Sequence, residues 1–467
     1  GLLPRQYIAS DLFERVEVLR GASAFLTGVT PSGTGLGGTV NLLPKRAPNQ
    51  PLTQVDVGLV NNKQFNATAD VARRFGPDDS TGLRVVATHR QGKTAIDHEH
   101  NKEDLLQAGL DWHNADTRLS ADVGYQNHRL EQTRTNVSLG AAVTAVPSAP
   151  KSTLNWAEPW SYSKEKDTFG TLRGEHDFND QVTGWFALGA RQSKEDNSLA
   201  NLTVNSNDGA GSSYRFDNVR KDRIITGEVG ARAKFTTGDI KHEVVGTVGT
   251  YHSRKKNGWK FDYGNQLATS LYSPTYHDRP DWTANATEGS FASPSLAGKV
   301  RLRSIALGDT MSFLGDQLLV TVGARHQALR VDDWSVQTGA QTSHYDQSRV
   351  SPMAGVVYKL QNNLSLYANY IEGLSQGGTA PTVNSTTGAA VTNAGQTLKP
   401  YVAKQKEIGV KYDLGGTILA ATLFSTDKPR AYVNSANTFV ASGKDRHQGL
   451  ELTVQGEPIK HLRTLGG

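Results

Sequence analysis

A two-residue rhythm runs through most of this chain and narrows what it can fold into. Leu106, Ala108, Leu110 and Trp112 alternate with Gln107, Gly109, Asp111 and His113. Leu119, Ala121, Val123 and Tyr125 alternate with Ser120, Asp122, Gly124 and Gln126. The beat recurs at Val55, Val57 and Leu59, and again at Leu364, Leu366, Ala368 and Tyr370. Successive strand residues point to opposite faces, so each segment has an apolar and a polar side. A two-layer sandwich would show the same alternation. The connections separate the two architectures. Tight ones (Gly76 to Thr81, Asn114 to Asp116, Thr236 to Asp239, Gly315-Asp316, Gln361 to Asn363, Gly415-Gly416) contrast with long ones at Lys93 to Asp104, Gln132 to Lys164, Gly264 to Leu296 and Gly373 to Leu398. In an up-and-down sheet, odd and even connections fall at opposite ends. One end then collects tight turns and the other long loops, the asymmetry of a membrane-spanning barrel. Segments such as Gln317 to Trp334 and Ile240 to Tyr263 exceed the ~9–11 residues that cross a bilayer, so their hairpins should stand out into the medium.

Composition removes competing classes. The mean hydropathy of −0.48 is that of a soluble protein, but a barrel shows the same mean because only every other residue faces lipid. No apolar run approaches the ~20 residues of a membrane helix. The 467 residues match about three ordinary domains, a prior that a large barrel overrides. Without cysteine there is no disulfide framework and no thiolate metal site. The formal charge is +5, with no Lys/Arg-rich run of the kind that binds nucleic acid. No 20–50-residue repeat points to a solenoid or propeller. Gly1 to Arg5 carry no signal peptide, and the chain ends at Gly467 without an aromatic terminal strand; both ends read as truncations.

The opening stretch breaks the rhythm. Val16-Glu17-Val18-Leu19 reads as a short strand ended by Arg20-Gly21, then a small-residue turn of helix, a Gly-rich loop, and a second strand from Thr39 to Leu43. Glu14-Arg15-Val16-Glu17-Val18-Leu19-Arg20-Gly21, followed by Val40-Asn41 and Lys45-Arg46, resembles the end of the plug domain of TonB-dependent outer-membrane receptors, the siderophore branch in particular. The resemblance implies an all-β fold: part of a plug (residues 1–49) inside a large antiparallel transmembrane β-barrel (residues 50–467). About 16–17 strands are counted, where plugged transporters close with about 22. It also implies uptake of a ferric siderophore across the outer membrane of a Gram-negative bacterium. TonB of the inner membrane would drive it, with no covalent chemistry, no enzyme activity and no cofactor. The partners are then the ferric siderophore, TonB and outer-membrane lipid. Haem, cobalamin or a glycan are alternative cargoes. A passive porin and a secreted glycan hydrolase are rivals from other classes; for the latter no carboxylate pair stands out.

Candidate residues follow from the same comparison. The family's plug arginine pairs with barrel carboxylates, and Arg20 matches it. Glu407, in Lys404 to Tyr412, and Glu451, in Gly449 to Leu452, match the barrel motifs. Alternation agrees, because Ile408, Val410 and Tyr412, like Leu450, Leu452 and Val454, leave the glutamates on the polar side. Arginine's planar fork suits carboxylates. Trp156, Trp160, Tyr162, Tyr272, Tyr276 and Trp282 fall on long loops and offer rigid contact area to a bulky chelate. Trp259 and Tyr263 read as an interfacial girdle. Arg5 and Tyr7 lie near where the family's plug apex touches ligand. Gly33 to Gly38 formally satisfies G-x-G-x-x-G, but a β-prone stretch follows instead of a helix. Gln91 to Thr94 ends like a phosphate loop, yet residue 87 is alanine. Asp97-His98-Glu99-His100 could be a metal cluster but reads as a solvated loop tip. Gly58, Gly109, Gly124, Gly323 and Gly409 fall on the polar side, either admitting a plug backbone or relieving curvature.

Overall fold

A computed structural model describes residues 2, 6–21, 25, 28–29, 37–60, 63–284 and 286–467. Among them, seventeen strands follow one another round a barrel wall: Leu52–Val60, Gln64–Phe75, Thr81–Lys93, His100–His113, Thr117–Glu131, Tyr162–Asp177, Val182–Val204, Ala210–Thr237, Ile240–Phe261, Ser295–Phe313, Leu318–Trp334, Gln341–Gln361, Leu364–Ser375, Tyr401–Asp413, Thr417–Val433, Phe439–Ile459 and Leu462–Gly466. Each pairs antiparallel with the next. The tight turns sit at one end, where Gly238, Gly315 and Gly415 adopt left-handed φ that disfavours a side chain.

The alternation sorts the faces in the sense opposite to a soluble protein. Leu106, Val123, Leu188, Ile305, Ile408 and Leu423 are more than half exposed on the outside. Gln107, Asp122, Gln126, Asp167, Arg191 and Gln327 are buried on the inside. An apolar outer band with a polar interior is what lipid selects. Such a contiguous apolar surface would not stay bare in water.

Some loop limits differ from expectation. Lys93 to Asp104 is mostly strand, because Lys93 pairs with His100 and Gly92 with Asn101, leaving only residues 94–99 as loop. Above the apolar band polar residues serve both faces, so strand and loop look alike in sequence. Only residues 205–209 link Val182–Val204 to Ala210–Thr237. The 28 residues of the latter, at ~3.4 Å each, run far beyond any bilayer.

Phe13–Leu19 and Thr39–Pro44 form a separate two-stranded sheet, with Glu17 opposite Asn41 and Val18 opposite Val40. The first strand begins three residues earlier than the apolar run suggested. Residues 33–36 of the Gly-rich motif and most of the predicted helical turn lie outside the described residues. The five wall glycines divide. Gly109 faces Lys45 and Arg46, and Gly323 faces the Phe25 ring. Gly124 and Gly409 instead lie under the wall's own Phe169 and Tyr367 rings, and Gly58 faces open space. Close approach and ring packing on curved strands therefore both occur.

Candidate functional site

The described residues between 7 and 47 meet the polar faces of strands from widely separated parts of the wall. Lys45 lies 2.9 Å from Asp70, which Arg84 also holds through two nitrogens at 2.8 Å. Arg46 grips Asp122 with both terminal nitrogens, Nη2 at 2.8 Å from Oδ2. The guanidinium groups of Arg84 and Arg74 donate to the carbonyls of Arg46 and Ala47 at 2.8 and 2.9 Å. Gln126, itself buried, accepts from the Ala9 amide at 2.9 Å and donates to the Tyr7 carbonyl at 2.8 Å. Further round, the Arg325 Nε donates to the Phe25 carbonyl at 2.6 Å, and Gln327 accepts from the Val29 amide. Apolar contacts fill between these clamps: Ala9 and Leu12 with Leu105, and Val29 with Leu302, Leu329 and Leu374.

Arg20 reaches Glu451 at 3.6 Å, with both side chains about half exposed. Glu407 does not join this pair. It accepts from Asn369 at 2.8 Å and from Gln405, and its Oε1 lies beside Gly21. The expected trio is thus a pair with a neighbour. The stronger clamps on Asp70 and Asp122 were missed. Their signal was present, since both carboxylates lie on the polar side of alternating strands and Lys45-Arg46 closes the signature.

Tyr7 packs against His128 with ring centroids 4.1 Å apart and the planes tilted by 36°. Burial, helped by Glu165, Glu99 and Glu195, pushes its phenol pKa up, so it stays a neutral donor. Beside it opens a cavity of about 440 Å³ lined by Tyr7, Gln64, Arg90, Asn101 and His128. Arg5 lies outside the described residues. The loop aromatics are engaged with other loops and with the wall. Tyr272 donates to the Ser148 carbonyl at 2.9 Å, and Tyr276 to that of Asn155 at 2.8 Å. Trp156 donates to the Thr135 carbonyl at 3.3 Å beneath Arg134, while the Trp160 indole N–H is buried without an acceptor among the described residues. Tyr162 donates to Asp196 at 3.0 Å, and Trp282 lies 3.9 Å from the Arg215 guanidinium. Trp259 stacks on Phe261, on the same side of the strand as inward-packed Tyr251 and well above the apolar band, and Tyr263 just past the strand end packs tilted against Phe261. Extra strand length carried them past the interface, so they form no girdle. Asp97 to His100 is a loop junction rather than a solvated tip: Asp97 bonds Thr153, His98 meets Tyr276 edge-on, and Glu99 is buried and accepts from Thr94.

Comparison with known proteins adds the family. The profile described as TonB dependent receptor-like, beta-barrel matches residues 104–467. This chain belongs to the TonB-dependent receptors. Over 470 residues it is 35% identical to the ferrichrome receptor FcuA of Yersinia enterocolitica, covering all of this chain and 60% of that protein. The crystal structure of BauA, the ferric preacinetobactin receptor of Acinetobacter baumannii, superposes with a TM-score of 0.86 at 30% identity, over 98% of this chain and 67% of that one. FpvA of P. aeruginosa bound to a heterologous pyoverdine shares the fold, with a TM-score of 0.77 at 20% identity, over 97% and 59%. The chain thus spans about three fifths of the curated receptors it matches. As a family member its wall is an outer-membrane β-barrel, and the exposed apolar band faces lipid.

Proposed function

We propose that this chain is the barrel and the end of the plug of a receptor that takes up a ferric siderophore across the outer membrane, driven by TonB. The 35% identity to a ferrichrome receptor along the whole chain carries the reading. Residues 1–49 act as the stopper and residues 50–467 as the wall around them. The grip on Tyr7, Ala9, Phe25, Val29, Lys45 and Arg46 supports that division. The ferric chelate is cargo and brings its iron already satisfied, so binding asks for polar donors and aromatic edges. The recess of Tyr7, Arg90 and His128 supplies both. Arg20, Glu407 and Glu451 serve as a weak, displaceable contact, since desolvation offsets much of the attraction between such charges. Growth of a deletion strain complemented with the full-length gene, on single iron sources, tests this. Growth restored by hydroxamate or catecholate siderophores supports it; restoration by haem alone, or none with any siderophore, sinks it.

A further inference from the structure

Beside its donors, the recess next to Tyr7 holds buried acceptors that the chain itself does not meet. Asn101 and His128 line it, and each is 8% exposed. Among the described residues, neither the Asn101 Oδ1 nor the His128 Nδ1 has a hydrogen-bond partner. A buried polar atom without a partner carries a desolvation cost that a ligand can remove. A carboxamide oxygen only accepts, so the group that relieves Asn101 has to bring an N–H or O–H.

Negative charge collects around the same recess. Glu99, Glu165 and Glu195 all act on the Tyr7 phenol. Asp11 and Glu103 share Arg90, at 3.5 and 3.0 Å. Asp167 and Glu165 share Arg191, at 2.7 and 3.7 Å. Among the described residues, these six carboxylates face only the two guanidinium groups of Arg90 and Arg191. His128 adds no positive charge. It lies above the apolar band, between outward Asn127 and Arg129, and burial together with Arg90 pushes its pKa down to about 4. An anionic guest meets like charge here, which works against its binding.

We infer that this recess takes a cationic arm, and that the preferred cargo is a ferric trihydroxamate bearing a free primary ammonium. Three hydroxamates neutralise ferric iron, so the appended ammonium makes the whole complex a cation. Three catecholates would leave a trianion. An ammonium carries several N–H donors and can serve both Asn101 and His128, whose neutral ring accepts at Nδ1 when its proton sits on Nε2. The recess is open and holds about 440 Å³, so the arm can enter while the iron centre stays outside. The inference rests on the reading of this chain as a ferric-siderophore receptor and narrows its cargo.

The test measures binding to the full-length protein of two ferric trihydroxamates that differ only in charge. One is a linear chelate ending in a primary ammonium; the other is the same chelate N-acetylated at that amine. The ammonium form should bind about tenfold tighter, as one hydrogen bond to a charged group would give. Asn101→Leu should shrink that ratio to about threefold or less, and Asn101→Asp should widen it. The chelate pair on the parent protein remains the readout if a variant does not fold. Equal binding of the two chelates overturns the inference and leaves the siderophore reading standing. An unchanged ratio in Asn101→Leu, or tight binding of a ferric tricatecholate in place of both trihydroxamates, overturns it as well. Failure of every ferric siderophore to bind would sink the underlying reading with it.

Discussion

Arg46 meets Asp122 with two nitrogens, and the Asp122 side chain is 3% exposed; Arg20 meets Glu451 across 3.6 Å in open, wet surroundings. The two should behave differently. Arg46→Ala leaves a buried carboxylate unpaired and should loosen the first 47 residues by roughly 3 kcal/mol. Urea-dependent trypsin protection of that segment in the full-length protein measures it. Arg20→Ala should cost less than about 1 kcal/mol by the same measurement. It should nevertheless impair siderophore uptake more than siderophore binding, as a displaceable contact would; equal loss of both argues against gating. The glutamate near Arg20 was legible because Glu451 sits in a clean alternation. Asp70 and Asp122 were just as well placed on polar faces, but their partners lie 25 and 76 residues away in sequence. Periodicity gives a residue's face and not what stands opposite it across the lumen.

At the level of elements, strands were readable wherever one face meets lipid, and poorly readable above it. There the selection for apolar residues stops, which is why Lys93 to Asp104 read as a loop although most of it is strand. The long loops carry no period at all. They are joined instead by single buried groups. Asn155 donates to the Asp97 and Gln132 carbonyls at 2.8 Å, and Glu158 accepts from His277 at 2.8 Å. Asp262 accepts from the amide and hydroxyl of Thr283 at 2.7 and 2.6 Å and from the Gly264 amide at 3.1 Å. Burial works to raise the Asp262 pKa, but these hydrogen bonds outweigh it and hold the carboxyl below the ordinary range. A depressed native pKa means a contribution that is complete above the unfolded value of about 3.9 and lost as pH falls through the lower, folded value. Hydrogen exchange over residues 264–283, corrected for intrinsic rates, should therefore hold steady from pH 7 to about 4 and quicken below. Asp262→Asn should show the quickened exchange already at pH 7.

For the molecule as a whole, the question is whether the wall holds a stopper or merely touches a stray terminus. A wide barrel of the size its family closes would leave an aqueous channel if empty. The contacts to residues 7–47 argue for filling, because they come from Gln64–Phe75, Thr117–Glu131, Leu318–Trp334 and Phe439–Ile459, which are spread round the wall. A terminus lying against one side would touch two or three neighbouring strands. The clamps are also mixed in strength, buried at Asp122 and Gln126 but open at Glu451, so one side can let go before the other. Planar-bilayer recordings on the full-length protein put this to the test. The intact receptor should be nearly closed, and deletion of the whole plug through residue 49 should give a large, steady ion conductance. Arg46→Ala should fall between them, with brief openings at urea concentrations that leave the parent closed. A steady conductance from the intact protein would mean that the chain behaves as a passive pore, whatever the contacts inside it.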